Sequence, residues 1–335
     1  MLKDPSEIDL LSRVCWLYYK QNMTQSQIGK KLSISRIKVL QLLKKAREEG
    51  MVHIDIVTPL YNCLSIEQKL ISTFKLKDAM VVPTPQGGDD ILRECLGKAA
   101  AQYLERHLKS GSLLGIGWGM SVAETVKFIS SNEIKNVRVV TLNGGLTPIF
   151  SLNPYDVGNK FASIFEGECY HVHAPAITAS ERICESFKSD MTVKQALEMA
   201  HQADYVMVGI GVAGEESTLV KLRYINLSET ETLRRQGAVG DILAQFFNIK
   251  GEKVDCDLHK RIVAFPIEDL RQMENVIGLA GGKVKTKAIL GAIHGRFIKI
   301  LITDEETAKD ILDLEKENSR SNISFAVSSS VISIF

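Results

Sequence analysis

"TQSQIGKKLSISRIKVLQLLKKAR", residues 24–47, carries seven lysines and arginines (Lys30, Lys31, Arg36, Lys38, Lys44, Lys45 and Arg47) and no aspartate or glutamate. The whole chain is nearly neutral, with 41 Lys+Arg against 40 Asp+Glu in 335 residues. The stretch reads as two short helices. Thr24 offers an N-cap with Gln27 three residues on, the spacing of a capping box. The first helix, QSQIGKKL, stops near Ser33. Ser35 caps a second, basic helix that Gly50 ends. Along it, Ile37, Leu40, Leu43 and Ala46 are expected to face a core, leaving Arg36, Lys38, Gln41, Lys44 and Lys45 largely outside.

Two short helices joined by a tight turn, the second one basic, form the pattern that lays a recognition helix in the DNA major groove. Residues 51–57, MVHIDIV, alternate with period two, as a wing strand does. Cationic side chains near phosphates gain affinity through counterion release. The candidate DNA contacts are Thr24, Gln25, Ser33, Ser35, Arg36, Lys38, Gln41 and Lys44. The competing reading is a solvated basic face on an ordinary helix pair. Upstream, EIDLLSRVCWLYYK (7–20) is helical in pattern, with Ile8, Leu11, Val14, Cys15, Tyr18 and Tyr19 on one face. Its Leu10, Leu11, Trp16 and Leu17 offer further apolar surface, a candidate for part of an oligomer interface.

The length predicts two domains: a winged helix-turn-helix over 1–58 and a larger domain over 59–315, with PLYNCL (59–64) as the linker and 316–335 as a tail. The tail is Ser-rich and apolar and lacks a helical pattern, which suggests an added edge strand or a poorly ordered end. No run approaches ~18 apolar residues, so no membrane span is expected. The N-terminus lacks the apolar core of a signal peptide, and the six cysteines form no CxxC pair. A cytoplasmic protein with reduced thiols is expected.

Beyond residue 64, Val/Ile-rich runs alternate with helical patterns: DAMVVPT, SLLGIG, VRVVTL, ECYHVHA, DYVMVGIG, VIGLAGG and IKILIT. This is the signature of an α/β domain, a mostly parallel sheet covered on both faces. Ligands of such sheets sit at the carboxyl ends of strands, where the glycine-rich turns fall: GIGWGMS with Gly117, Gly119 and Ser121, LNGGLT with Asn143, Gly144 and Gly145, GIGVAG, and AGGKVK with Gly281, Gly282 and Lys285. Glycines let backbone N–H groups approach an anion, and Lys285 adds a full positive charge, which points to a phosphorylated small ligand. The alternative is that these glycines only make tight bends. There is no GxxxxGK[ST], so a P-loop is not expected, and no cofactor is implied. Cys169, His171 and His173 alternate in CYHVH without an evident fourth ligand, so no metal site is expected. Asp241 and Asp304 are acids beside a glycine and at a strand end, suited to binding hydroxyls, to acting as a base, or to capping a helix.

Taken in order, YYKQNMTQSQIGKKLSISRIKVLQLLKKAREEGMVHIDI, GIGWGMS, TLNGG, HAPA, ADYVMVGIG, GAVGDIL, GLAGGKVKTKAI and LITDEETAKDIL resemble the SorC family of bacterial sugar-responsive transcriptional regulators, including its LsrR-like members, up to about residue 314. The resemblance implies a winged helix-turn-helix joined to a sugar-phosphate-binding domain related to sugar-phosphate isomerases and deaminases, in a homo-tetramer or dimer that responds on operator DNA to a phosphorylated sugar or sugar alcohol. It also implies phosphate contacts from Lys285 and Gly282, hydroxyl contacts from Asp241, and a site lined by Gly117, Gly119, Ser121 and Gly145. Val284 stands where the family pattern usually carries a polar side chain. The rival expectation is a sugar-phosphate isomerase-like enzyme with an appended DNA-binding domain, in which Asp241 is the base.

Overall fold

The computed structural model describes residues 5–52, 60–130, 133–146 and 153–331. The chain forms two compact units, Met1–Pro59 and Leu60–Phe335.

In the first unit, α1 (Pro5–Cys15) runs into a π-helical turn over Trp16–Lys20, and α2 (Gln25–Leu32) and α3 (Arg36–Glu48) follow. Thr24 caps α2 in a complete capping box with Gln27, and the Ser35 side chain accepts the Lys38 N–H at the start of α3. Ser33, in the left-handed region at φ 53°, turns the chain between them. The turn is tight enough that a Cβ on Gly29 would stand 2.8 Å from the Ile34 carbonyl oxygen, which explains a glycine inside α2. Leu11, Val14, Leu17, Ile28, Val39, Leu42, Leu43 and Ala46 make the core of this unit.

Two expectations are corrected here. The inner stripe of α3 is Val39, Leu42, Leu43 and Ala46, at i, i+3, i+4 and i+7, whereas Ile37 and Leu40 are 68% and 51% exposed. In the first helix, Leu17 rather than Tyr18 is fully buried beyond Val14. Leu11 and Leu17 are therefore spent on this core, while Trp16 stays exposed. The expected wing falls mostly at 53–57, outside the described residues.

The second unit opens with α4 (Tyr61–Phe74). The expected linker is thus largely helix, because Cys63, Ile66 and Leu70 form a buried stripe. There follow β1 (Asp78–Val82), α5 (Asp89–His107), β2 (Leu113–Ile116), α6 (Met120–Thr125), β3 (Arg138–Thr141), α7 (Pro154–Ile164), β4 (Cys169–Tyr170), α8 (Glu181–Ser189), α9 (Met191–Ala200) and β5 (Tyr205–Gly209). Then come β6 (Gly211–Val212), α10 (Thr218–Lys221), α11 (Leu227–Arg235), β7 (Ala238–Ile242), β8 (Gln245–Asn248), β9 (Val276–Leu279), α12 (Thr286–His294), β10 (Ile300–Asp304) and α13 (Glu305–Val331).

Among the described residues, seven strands form one sheet in the order β1-β10-β9-β5-β2-β3-β4, and every pairing in it is parallel. Alternate side chains enter two separate cores. Leu114, Ile116, Val139, Met207, Ile277, Leu279, Ile300 and Ile302 pack on the α5 and α7 face. Leu113, Val140, Val206, Val208, Val276 and Leu301 pack on the other, with α4 and α13. Both faces are covered, so the strands read as continuous apolar runs. β6, β7 and β8 make a small antiparallel sheet that sequence patterning did not indicate.

The tail is corrected as well. α13 continues through 316–331 rather than adding a strand. Its stem is anchored by buried Ala308, Ile311 and Leu312, and propagating an anchored helix is far easier than nucleating one. All six cysteines are free, and among the described residues no helix is long and apolar enough to cross a membrane.

Candidate functional site

From the middle of the large sheet, β2 leads outward to β3 and β4, while β5 leads the other way to β9 and β10. The strand order therefore reverses between β2 and β5. A crevice at the carboxyl ends of these strands is where a doubly wound sheet takes its ligand. A cavity of the unit opens there. Trp118, Gly119, Met120 and Ser121 after β2 line it, with Gly209, Ile210 and Gly211 after β5, Gly281, Val284 and Lys285 after β9, and Asp89, Leu92, Arg93 and Leu96 from α5. The β2 and β5 loops meet closely, since a Cβ on Gly119 would lie 3.3 Å from the Gly209 Cα.

Asp241 enters from the small sheet. It pairs with Gly211 across β6 and β7, and a Cβ on Gly211 would lie 2.0 Å from its Oδ1. The carboxylate is 5% exposed, and its Oδ2 accepts the Ala244 N–H at 3.1 Å. Burial pushes its pKa up to about 6, against the pull of that hydrogen bond and of the Lys285 charge. Lys285 is partly buried, and desolvation lowers its pKa while Asp241 raises it. Arg93 and Lys221 bring two more cations to the same cavity. Arg93 contacts Asp90, and Lys221 pairs with Glu216 at 2.6 Å, whereas among the described residues no carboxylate stands within ion-pair distance of Lys285. The cavity thus offers a cation without a bonded anion, a buried acceptor beside it, and apolar walls from Leu92, Leu96 and Trp118.

Of the residues singled out from sequence, Gly119, Ser121, Asp241, Gly281 and Lys285 line this cavity. Gly117, Asn143, Gly144, Gly145 and Gly282 do not. Gly117 is a packing glycine, since a Cβ there would sit 2.7 Å from Leu243. The LNGG segment is stitched into the protein instead: Gly144 N–H donates to the Val263 carbonyl at 3.0 Å and Gly145 N–H to that of Ala174 at 2.8 Å. The Gly282 N–H is likewise taken, donating to Asp304 Oδ1 at 3.0 Å and to Thr307 Oγ1 at 2.8 Å. Asp304 is 1% exposed and also accepts from Thr84 and Thr307 hydroxyls, so it fixes the AGGKVK loop and caps α13 rather than facing the cavity. Lys285 lies in a 3₁₀ turn over Lys283–Lys285, immediately before α12.

Arg93, Lys221 and Trp118 were missed. The one signal for Arg93 is its place in the first turns of the helix after β1, four residues beyond Asp89. Cys169 Sγ lies 3.7 Å from His171 Nδ1, His171 Nε2 contacts Asn159 at 3.1 Å, His173 is exposed, and burial pushes the Cys169 thiol up to about 12. Among the described residues no group of His, Cys, Asp and Glu could hold a metal ion.

In the first unit, Ser33, Ser35, Arg36, Lys38, Gln41 and Lys44 are exposed, as is Thr24, and Gln25 is half-exposed. The Thr24 and Ser35 hydroxyls are engaged as caps. Lys45 is turned to Glu7, at 2.5 Å, and Lys44 lies 3.7 Å from Glu48.

Residues 58–313 match the family described as "Putative sugar-binding domain". The transcriptional regulator LsrR of Enterobacter sp. (strain 638) is 34% identical over 316 residues, spanning 92% of this chain and 94% of that protein. The deoxyribonucleoside regulator of Bacillus subtilis (strain 168) is 29% identical, over 89% of this chain and 95% of its own length. The crystal structure of the full-length sorbitol operon regulator SorC from Klebsiella pneumoniae superposes with a TM-score of 0.71 at 29% identity, covering 93% of this chain and all of that one. The chain belongs to the SorC family and is a sugar-responsive transcriptional regulator.

Proposed function

We propose that this regulator binds operator DNA of a carbohydrate uptake or catabolism operon through α2 and α3, and that its effector is a phosphorylated sugar or sugar alcohol held in the cavity at the β2–β5 crossover. One observation carries the effector reading: Lys285 and the buried Asp241 line one cavity together with Arg93 and Lys221. A phosphate ester supplies the anion that Lys285 lacks, and its sugar hydroxyls donate to Asp241. On the DNA side, Arg36, Lys38 and Lys44 project from a capped helix, and the rest of the chain, with more Asp and Glu than Lys and Arg, leaves this end as the place to meet a polyanion. Reading two half-sites takes two such units, so the active form is a homo-oligomer, a dimer or tetramer. The protein works in the cytoplasm and does not turn its effector over. A sensor needs Asp241 only as an acceptor, whereas an isomerase needs it to move a proton. The test is calorimetry against a panel of phosphorylated and free ketoses, pentoses and polyols, run beside a turnover assay on the same panel. Binding of the phosphate esters without turnover supports the reading, and turnover would replace it with the isomerase.

A further inference from the structure

We propose that Ile37, with Leu40 beside it, packs on thymine methyl groups in the DNA major groove, next to an adenine read by Gln41. The inference rests on the DNA-binding reading and deepens it to the bases recognised. Two stripes with the same i, i+3, i+4, i+7 spacing divide α3 between them. Val39, Leu42, Leu43 and Ala46 form the inner stripe, all at most 3% exposed. Ile37, Leu40, Gln41 and Lys44 form the outer one. At about 100° per residue, Ile37 lies opposite the centre of the buried stripe. Among the described residues it has no part in the core of its unit, and neither does Leu40.

Single exposed apolar residues are ordinary on protein surfaces. These two are neighbours on one face, and their surroundings select the occupant. Arg36, Lys38 and Lys44 flank them, and residues 24–47 hold no carboxylate. That combination, an apolar centre in a cationic field, complements a polyanion whose inner surface carries methyl groups. In the major groove the C5-methyl of thymine is the apolar group on the base edges. Ile37 is the second residue of α3, near the end of a recognition helix that meets those edges. Gln41 follows at i+4, its Cβ about 5–6 Å from that of Ile37. A glutamine amide matches N6 and N7 of adenine. The half-site therefore contains an adenine with a thymine in the same or the adjacent base pair.

The test removes the methyl groups without touching the protein. The full chain is used to select a preferred duplex from a random pool, and each half-site thymine is then replaced in turn by deoxyuridine. We expect one or two positions at which the wild type loses about fourfold in affinity, the free energy of one buried methyl group. In Ile37→Ala, or in Leu40→Ala for a second thymine, the same replacement should change affinity by less than about twofold, because the partner surface is gone. If a sequence is selected yet no deoxyuridine replacement weakens the wild type, the thymine assignment is wrong and the DNA-binding reading stands. If no sequence is enriched and binding depends on salt alone, the recognition-helix reading itself fails. If Ile37→Ala changes the sedimenting oligomer while deoxyuridine has no effect, this face is a contact between copies of the chain and the proposal falls.

Discussion

Asp241→Asn should stabilise the ligand-free protein at neutral pH and leave it unchanged in acid. The carboxylate is buried, and its pKa rises from 3.8 to about 6. The folded chain therefore binds this proton more tightly than the unfolded chain does. The resulting stabilisation is complete below the unfolded value and is lost as pH rises through about 6. At pH 7 the protein holds a desolvated charge that the shift places at up to about 3 kcal/mol. Asparagine keeps an oxygen for the Ala244 N–H and carries no charge. Urea unfolding of both proteins without ligand, from about pH 4 to pH 8, should show curves that coincide near pH 4 and diverge up to about pH 6–7, with the variant more stable. A difference that is flat with pH, or a variant less stable at pH 7, would refute the reasoning. The same substitution should cost discrimination among sugars, since a carboxylate accepts two hydroxyl hydrogen bonds where an amide oxygen accepts fewer.

Other substitutions separate the two units and the supports of the site. Arg36→Ala should weaken DNA binding by about 1–3 kcal/mol and relax sequence choice, whereas Lys44→Ala should weaken all duplexes alike and flatten the salt dependence; titrations at several salt concentrations distinguish them. Thr24→Ala, by removing the α2 cap, should cost about 1 kcal/mol in thermal unfolding of the first unit. Asp304→Ala takes the acceptor from the Thr84 and Thr307 hydroxyls and one of two acceptors from the Gly282 N–H, so a loss of about 1–3 kcal/mol in urea unfolding is expected, together with weaker effector binding as the loop bearing Lys285 loosens.

What could be read from the sequence followed from local rules. The caps at Thr24 and Ser35 were legible because capping depends on a side chain and a backbone three residues away. The parallel strands were legible because burial on both faces makes them short apolar runs. Asp241 and Lys285 were legible as an acid beside a glycine and a lysine after a glycine turn. What failed depended on neighbours. Ile37 and Leu40 fit a helical period as well as Val39 and Leu42 do, and only packing against α1 and α2 chose between the two stripes. Gly144, Gly145 and Gly282 have the composition of an anion loop, yet their N–H groups are committed to carbonyls and to Asp304. Arg93 and Lys221 reach the cavity from α5 and α10, far apart in sequence, and no spacing rule links them to Lys285.

The central claim is that Lys285 receives the phosphate of the effector. Its most direct test is calorimetric titration of wild type and Lys285→Ala with a sugar phosphate found to bind and with the corresponding free sugar. Losing a charge-assisted bond costs about 1.5–3 kcal/mol, so wild type should prefer the phosphate ester by about tenfold to a hundredfold. Lys285→Ala should lose most of that preference while keeping wild-type affinity for DNA. If wild type binds the free sugar as tightly as the ester, or if Lys285→Ala leaves ester affinity unchanged, the phosphate does not sit at Lys285.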